Sequence, residues 1–341
     1  MMMSAEGPSR DANCTPWGAA QRREPQVLGD NAAEPLAFVG LRGTLAQDAL
    51  LARYTSWRVG GRADILYSPA DRDDLAHFLR GLPAHMPVTV LGLGSNVLIR
   101  DGGIRGAVVL LHNPGAALAV ADGVIYADAG VASPKLARFA ALHGCADAEF
   151  LAGIPGTVGG ALAMNAGCYG GETWTYVARV ETLARDGRFD IRTPADYSIG
   201  YRSVTHRDGR AHADLFTAAW FRFPQGDVAT GRGRIKALLA RRIATQPLAL
   251  PNAGSVFRNP PNDHAARLIE ACGLKGHRIG GASVSTLHAN FIVNAERKAT
   301  AADIEALIAH VRDAVRVTTS VALDAEVRVL GEFAGDAAVT R

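Results

Sequence analysis

The segment that decides the fold reads Gly153-Ile154-Pro155-Gly156-Thr157-Val158-Gly159-Gly160-Ala161, and a second glycine-rich stretch, Asn165-Ala166-Gly167-Cys168-Tyr169-Gly170-Gly171-Glu172, follows almost at once. Glycine lacks a Cβ, so its backbone can adopt a positive φ and can lie close to a flat ligand. A segment built only for core packing rarely needs glycine at this density. We therefore expect this part of the chain to approach a bound ligand.

A shorter glycine loop, Leu91-Gly92-Leu93-Gly94-Ser95-Asn96, follows a predicted strand at 88–91. It lacks the third glycine of the dinucleotide fingerprint, and residues 97–100 after it have strand character instead of helix character, so it does not predict a Rossmann fold. Successive N–H groups in such a turn can still bind a pyrophosphate. Taken alone, the loop leaves an ordinary β-turn open as the alternative.

The apolar pattern predicts an α+β protein. Between residues 36 and 223, short runs separated by turns predict strands at 97–100, 107–111, 124–127, 176–183 and 189–193, with helices at 71–80 and at 133–143, the second capped by Ser133. After Pro224, the pattern predicts helices at 232–245, 264–272 and 300–315, with strands at 289–293 and 326–330. Thr300 and Asp303 have the spacing of a capping box. We expect a disordered tail at 1–35, a first region of two α+β lobes at 36–225 and a smaller α/β domain at 226–335.

The composition excludes several classes of protein. The 341 residues are 48% hydrophobic and 20% charged with a net charge of +3, which is typical of a globular protein and gives no basic face for nucleic acid. The four cysteines are scattered, so neither a disulfide framework nor a metal site is expected. There is no apolar run of about 18 residues for membrane insertion, and the first residues lack the apolar core of a signal peptide. These features predict a cytoplasmic protein with no obligatory protein partner.

Several further motifs make the pattern specific. With the glycine loops, and in the same order across residues 50–333, they resemble the UDP-N-acetylenolpyruvoylglucosamine reductase family. The resemblance implies an FAD-binding domain of the vanillyl-alcohol-oxidase or para-cresol-methylhydroxylase type, followed by a smaller α/β substrate-binding domain. The 53 residues from Arg202 to Ser255 are too few for the tyrosine-bearing loop of one subclass, so the chain is similar to the compact subclass. The motifs are Thr55-Ser56-Trp57-Arg58-Val59-Gly60-Gly61, Tyr201-Arg202-Ser203, Gln246-Pro247, Ala253-Gly254-Ser255-Val256-Phe257-Arg258-Asn259-Pro260, Gly280-Gly281-Ala282, His288-Ala289-Asn290-Phe291-Ile292-Val293-Asn294 and Glu326-Val327-Arg328.

The resemblance implies a reaction of peptidoglycan precursor synthesis, and through it a role in cell-wall formation, cell shape and cell division. NADPH reduces non-covalently bound FAD, and a hydride then passes to the terminal enolpyruvyl carbon of UDP-N-acetylglucosamine enolpyruvate, giving UDP-N-acetylmuramate. The resemblance assigns Arg202 to the enolate-like carboxylate, Glu326 to charge and substrate placement, and Ser255 to proton donation. No metal is implied.

The resemblance also implies two sets of binding residues. Those for FAD are Arg58, Gly92, Gly94, Ser95, Asn96, Gly153, Ile154, Gly156, Gly159, Gly160, Ala161, Asn165 and Gly167. Those for the nucleotide sugar are Tyr169, Asn259, His288, Asn290 and Arg328. A structural histidine at 288 and a packed tyrosine at 169 stay open as alternatives. Two other functions also stay open: a flavin oxidase or dehydrogenase of the same fold that acts on a hydroxy acid or alcohol, and a non-catalytic flavin- or nucleotide-binding module.

Overall fold

The structure is a computed structural model and describes residues 38–208 and 214–335; the tail predicted at 1–35 lies outside these residues. The first lobe contains β1 (Thr44–Leu50), β2 (Arg62–Ser68), α1 (Arg72–Gly81), β3 (Val88–Leu91), β4 (Val97–Ile99) and β5 (Ile104–Leu110). Its sheet has the order β1-β2-β5-β3, in which β1 is antiparallel to β2 while β2 and β3 run parallel to β5. The apolar side of α1, including Phe78 and Leu79, packs on this sheet. Asp71 caps α1 by accepting from the Asp74 N–H.

The second lobe packs helices on an antiparallel sheet of order β11-β10-β14-β7-β6. Leu136 and Ala140 of α2 and Leu162 of α3 enter one buried core with Ile125 of β7 and Val180 of β10. The elements of the lobe are β6 (Leu118–Ala121), β7 (Val124–Asp128), α2 (Ser133–Leu142), α3 (Val158–Ala163), β8 (Gly167–Cys168), β9 (Gly171–Glu172), β10 (Val177–Leu183), β11 (Phe189–Arg192), β12 (Tyr197–Gly200), β13 (Ser203–His206) and β14 (Leu215–Phe221).

The C-terminal region is smaller. It consists of α4 (Val228–Thr245), α5 (Ala265–Ala271), β15 (Arg278–Ile279), β16 (Ala282–Val284), β17 (Ile292–Val293), α6 (Ala301–Thr319) and β18 (Arg328–Leu330). α6 packs against the sheet β15-β16-β17 through an apolar stripe that includes Ile304, Leu307 and Val311. α4 instead packs against α2, because Ile235 belongs to the core of the second lobe. The domain limits at 225 and 226 stay a prediction.

Several contacts join the C-terminal region to the first lobe, among them a strand pairing and a buried tryptophan contact. β18 pairs in parallel with β4, with Arg328 opposite Val97, so the last strand lies beside the Gly92–Asn96 loop. The fully buried Trp57 donates from Nε1 to the Ile292 carbonyl at 2.7 Å. Asn294 returns a bond from Nδ2 to the Trp57 carbonyl at 3.0 Å. Residues more than 200 positions apart therefore share one core, and this contact fixes the relative positions of the two regions.

Most predicted helices and strands are confirmed, and the differences have local causes. The capping box of Thr300 and Asp303 is present at α6. The prediction of Ser133 as N-cap of α2 is wrong, because Ala132 is the N-cap and Ser133 is the first helical residue, with its hydroxyl oxygen buried and without a hydrogen-bond partner in the described chain. The short helix α3 was not predicted, since two of its six residues are glycine. No helix in the described part of the chain is long and apolar enough to cross a membrane.

Candidate active site

A cavity of about 370 Å³ lies where the two lobes meet the C-terminal region. This volume is in the range of sites for small molecules. Most residues predicted to bind cofactor or substrate lie in its wall: Gly92, Gly94, Ser95, Asn96, Gly153, Ile154, Gly156, Gly160, Ala161, Gly167, Arg202, Ser255, Asn259, Asn290, Glu326 and Arg328. The structure thus brings segments from all parts of the described chain to one site.

Three residues predicted to bind FAD are not in the cavity wall. Arg58 is exposed, and its Nη1 donates to the Arg53 carbonyl at 2.6 Å. A Cβ at Gly159 would lie 2.9 Å from the Ala129 Cβ, so this glycine allows α3 to pack on the neighbouring chain. The buried Asn165 side chain binds Glu172 and the Gly200 carbonyl and accepts from the Trp174 N–H. Asn165 therefore holds together the segments around the site.

Two residues predicted to bind substrate also lie outside the wall. The Tyr169 ring is 41% exposed, and its hydroxyl donates to the Leu238 carbonyl of α4 at 3.3 Å. His288 accepts from the Asn290 N–H through Nδ1 and packs edge-on against Phe291. Burial lowers the pKa of His288, so its neutral form, which this acceptor role requires, is favoured.

The glycines of the site serve two different purposes. Gly94 has φ +61°, and a Cβ there would lie 2.0 Å from the Tyr54 carbonyl oxygen, while a Cβ at Gly92 would lie 2.5 Å from the Thr157 hydroxyl oxygen. These two glycines are required by contacts within the protein. At Gly156 the nearest atom to an added Cβ is the Ser95 hydroxyl oxygen, 3.4 Å away. Gly156 therefore leaves a hollow in the wall that a side chain would fill, as a flat cofactor requires.

Arg202 occupies the turn between β12 and β13 with a left-handed backbone of φ +53°. Its Nε donates to Glu326, its Nη1 to the Asn165 carbonyl at 3.4 Å and its Nη2 to the Gly167 carbonyl at 3.0 Å. The side chains of Arg202 and Glu326 are only 16% and 14% exposed. A guanidinium has five N–H groups, so two of them stay available for a ligand in the cavity.

Ser255 and Glu326 lie on neighbouring extended segments. Glu326 donates its N–H to the Val256 carbonyl at 2.8 Å, and Phe257 forms an antiparallel bridge with Ala325. Ser255 therefore immediately precedes Val256, the residue whose carbonyl accepts from the Glu326 N–H. The ion pair with Arg202 then joins all three predicted catalytic residues into one cluster.

The buried Asn290 supports the serine loop. Its amide accepts from the Phe257 N–H at 3.0 Å and donates to the Phe257 carbonyl at 2.8 Å, and its own backbone carbonyl accepts from the Val256 N–H at 2.9 Å. Asn96 makes a similar connection on the other side, donating from Nδ2 to the Glu326 carbonyl at 3.2 Å. Both side chains hold backbone segments of the site in place.

Sequence reasoning missed Arg242, which enters the cavity from the end of α4 and donates from Nε to Gln246 at 2.8 Å. The available signal was its position four residues before the Gln246-Pro247 motif, which is one helical turn. Three arginines and one glutamate line the cavity, so it favours an anionic ligand. Burial raises the pKa of the nearby Cys168 thiol against the opposing effect of Arg242 and Arg202, which favours the neutral thiol. The described residues contain no cluster of three potential metal ligands.

Comparisons with known proteins agree with this architecture. A family model described as an FAD binding domain matches residues 63–190. The protein is therefore an FAD-binding flavoprotein. A second model, described as the C-terminal domain of UDP-N-acetylenolpyruvoylglucosamine reductase, matches residues 246–330.

Relatives named UDP-N-acetylenolpyruvoylglucosamine reductase match most of the chain. The protein of Thiobacillus denitrificans is 56% identical over 306 residues, covering 86% of this chain and 94% of the relative. That of Coxiella burnetii is 49% identical over 314 residues, covering 86% and 98%. The crystal structure of the enzyme from Thermus caldophilus is 31% identical, with a TM-score of 0.69 over 84% of this chain and 98% of that one. The chain belongs to the UDP-N-acetylenolpyruvoylglucosamine reductase family and is an oxidoreductase, as its motifs predicted.

Proposed function

We propose that the protein reduces UDP-N-acetylglucosamine enolpyruvate to UDP-N-acetylmuramate with NADPH as the reductant, in the cytoplasmic stage of peptidoglycan precursor synthesis. The names of its relatives support the substrate. The observation that carries the proposal is the cluster of Arg202, Glu326 and Ser255 in one cavity with the two glycine segments. The flavin oxidase alternative gives this cluster no task.

The glycine segments are the part of the wall that would hold FAD. The Gly92–Asn96 loop offers backbone N–H groups and the Ser95 hydroxyl to a pyrophosphate, and the hollow at Gly156 and Gly160 leaves room for a flat ring. Bound FAD supplies the hydride for the enolpyruvyl carbon. The individual contacts between FAD and these residues are part of what we propose.

Arg202 binds the carboxylate of the enolpyruvyl group in this proposal. Its two remaining N–H groups form charge-assisted hydrogen bonds to the carboxylate, and these strengthen as negative charge develops on the carboxylate oxygens. Glu326 accepts from Nε and keeps the guanidinium in position. The ion pair therefore orients a cation that would otherwise rotate about four side-chain bonds.

Ser255 donates the proton to the carbon next to the carboxylate. A hydroxyl is a weak acid, but a carbanion-like centre is basic enough to accept its proton. The hydrogen bonds from Asn290 and Glu326 to the adjoining backbone hold the serine loop beside Arg202. The carbon that receives the proton and the carboxylate bound by Arg202 are adjacent atoms of the substrate, which fits two side chains in one cluster.

The nucleotide part of the substrate carries a diphosphate. Arg242, Arg328 and Asn259 line the cavity with donors, and the excess of arginine over glutamate there matches this charge. Arg242 lies on α4, which packs against α2 of the second lobe, whereas Asn259 and Arg328 lie in the rest of the C-terminal region. The donors for the diphosphate would therefore come from two differently packed parts of the C-terminal region.

Rapid anaerobic mixing tests the proposal. The FAD-loaded protein is first bleached with NADPH and then mixed with UDP-N-acetylglucosamine enolpyruvate while flavin absorbance is followed. We expect absorbance to return within the turnover time and UDP-N-acetylmuramate to appear in equal amount. Flavin that a hydroxy acid or an alcohol reduces without NADPH, and that the enolpyruvyl compound does not reoxidise, would instead establish the oxidase.

A further inference from the structure

The ring of Tyr201 lies between two arginine side chains. The Arg202 guanidinium carbon is 5.1 Å from the ring centroid and that of Arg258 is 5.9 Å away. Both distances fall within the reach of a cation–π contact, which extends to about 6 Å. The ring is 51% exposed and forms part of the cavity wall. An exposed aromatic ring between two cations at the edge of a ligand cavity requires an explanation beyond core packing.

The two arginines belong to different parts of the protein. Arg202 sits on the turn of the second lobe, while Arg258 sits three residues after Ser255 on the loop of the C-terminal region. The Arg258 N–H donates to the Asp324 carbonyl at 2.9 Å, which attaches that loop to the segment that carries Glu326. Tyr201 is therefore a contact between the turn with Arg202 and the loop with Ser255.

The hydrogen bonds of Arg202 all use the N–H groups at the edges of its guanidinium. Glu326 and the carbonyls of Asn165 and Gly167 accept from these groups. The Tyr201 ring adds a contact of another kind, because arginine also interacts with aromatic faces. Arg258 contributes to the same arrangement, because its Nε is buried without an acceptor in the described chain while its guanidinium carbon lies within cation–π reach of the ring.

We propose that Tyr201 is a positioning residue that uses its ring face to set Arg202 and the Ser255 loop at the separation that the reductive step needs. The inference rests on the proposed function, because it concerns the half-reaction in which the enolpyruvyl substrate is consumed. The ring, and not the hydroxyl, carries this role. NADPH oxidation does not use the enolpyruvyl carboxylate, so we expect that half-reaction to change little when the ring is removed.

Two substitutions distinguish the effect of the aromatic ring from the effects of the hydroxyl group and of side-chain volume. Tyr201→Leu keeps apolar volume but removes the aromatic face, and Tyr201→Phe keeps the face. For the Leu variant we expect the flavin to be bleached by NADPH at the parent rate and reoxidised by substrate about tenfold or more slowly at saturation. The Phe variant should reoxidise within about twofold of the parent. FAD content and thermal unfolding are measured for each variant to confirm that it is folded.

Each outcome decides the inference separately from the function. If the Leu variant reoxidises at the parent rate, or if its only change is a higher KM, Tyr201 does not position the catalytic cluster and the inference fails. If Phe is as slow as Leu, the hydroxyl carries the effect and the inference also fails. A parent protein that does not reoxidise with the substrate overturns the proposed function itself.

Discussion

Replacing Asn290 by alanine should lower the free energy of unfolding of the protein without removing a contact to the substrate. Its side chain is buried, and its amide pairs with both the N–H and the carbonyl of Phe257 at 3.0 and 2.8 Å. Phe257 is 2% exposed, so water cannot easily replace either bond. Leaving a buried polar group unpaired costs about 1–3 kcal/mol. Two such groups give a loss of about 2–6 kcal/mol in the free energy of unfolding.

This loss is a large part of the total stability, which is about 5–15 kcal/mol for most proteins. A loss of about 2 kcal/mol, the lower end of the expected loss, corresponds to a fall of about 4 °C or more in Tm for domains of 150–250 residues. Asn290→Asp should be no milder, because its second oxygen would face the Phe257 carbonyl where a donor is needed. Urea unfolding and calorimetry are measured with excess FAD, so that loss of cofactor does not lower the Tm of one variant alone.

Asn259 gives the matched comparison. It is exposed in the cavity wall, and within residues 38–208 and 214–335 its Oδ1 accepts only from the Ala265 N–H at 3.1 Å. Asn259→Ala should lose about 1 kcal/mol of stability, as for a lost helix cap, and should raise KM for the nucleotide sugar. An Asn290→Ala protein with parent stability and a tenfold higher KM would show that Asn290 binds substrate directly and that its bonds to Phe257 do not stabilise the fold.

Substitutions at four further positions test the site. Ser255→Ala should leave bleaching by NADPH intact and slow reoxidation by substrate about 10²–10⁴-fold in rapid mixing, with partial recovery in Ser255→Cys; an unchanged rate would assign the proton to another donor. Arg202→Lys should slow the same half-reaction about 10²-fold, since lysine lacks the planar fork that bonds Glu326 and substrate together; near-normal turnover would remove Arg202 from the mechanism. Gly156→Val should give a protein that melts like the parent apoprotein but binds FAD at least about tenfold more weakly, a change of about 1.4 kcal/mol. Gly94→Ala should instead lower the Tm, and parent-like FAD affinity in Gly156→Val would show that the hollow does not hold the cofactor.

All the α-helices except α3, and the first glycine loop, could be predicted because their signals are local. The capping box at Thr300 and the strand after Asn96 depend on residues within one turn or one short run. The antiparallel strands β1 and β14 were missed. Their burial patterns do not alternate cleanly, and β14 is buried along most of its length. A run of that kind is identified by the sheet that surrounds it and not by its own periodicity.

Sequence motifs predicted which residues lie in the candidate site, but they did not predict what each residue does there. Motif order indicated that Arg202, Ser255 and Glu326 belong together, and the structure places them in one cavity. The amide of Asn290 bonds backbone that lies 33 positions earlier in the chain. No property of the residue alone distinguishes that role from a ligand contact, because the same amide can serve both. Arg242 was missed for a related reason, since an arginine on a basic helix gives no sign of which face it occupies.

The contrast between Gly94 and Gly156 shows what a glycine-rich segment can indicate before a structure is known. Glycine is required wherever backbone comes close to another group, and that group can be protein or ligand. At Gly94 the close group is the Tyr54 carbonyl, whereas at Gly156, in the cavity wall, an added Cβ would make only ordinary contacts, the nearest at 3.4 Å to the Ser95 hydroxyl oxygen. Glycines of the first kind shape the loops, and in the proposed arrangement those of the second kind would face the cofactor. The density of glycine therefore indicates which segments line the cavity, while the role of each glycine depends on what lies beyond its missing side chain.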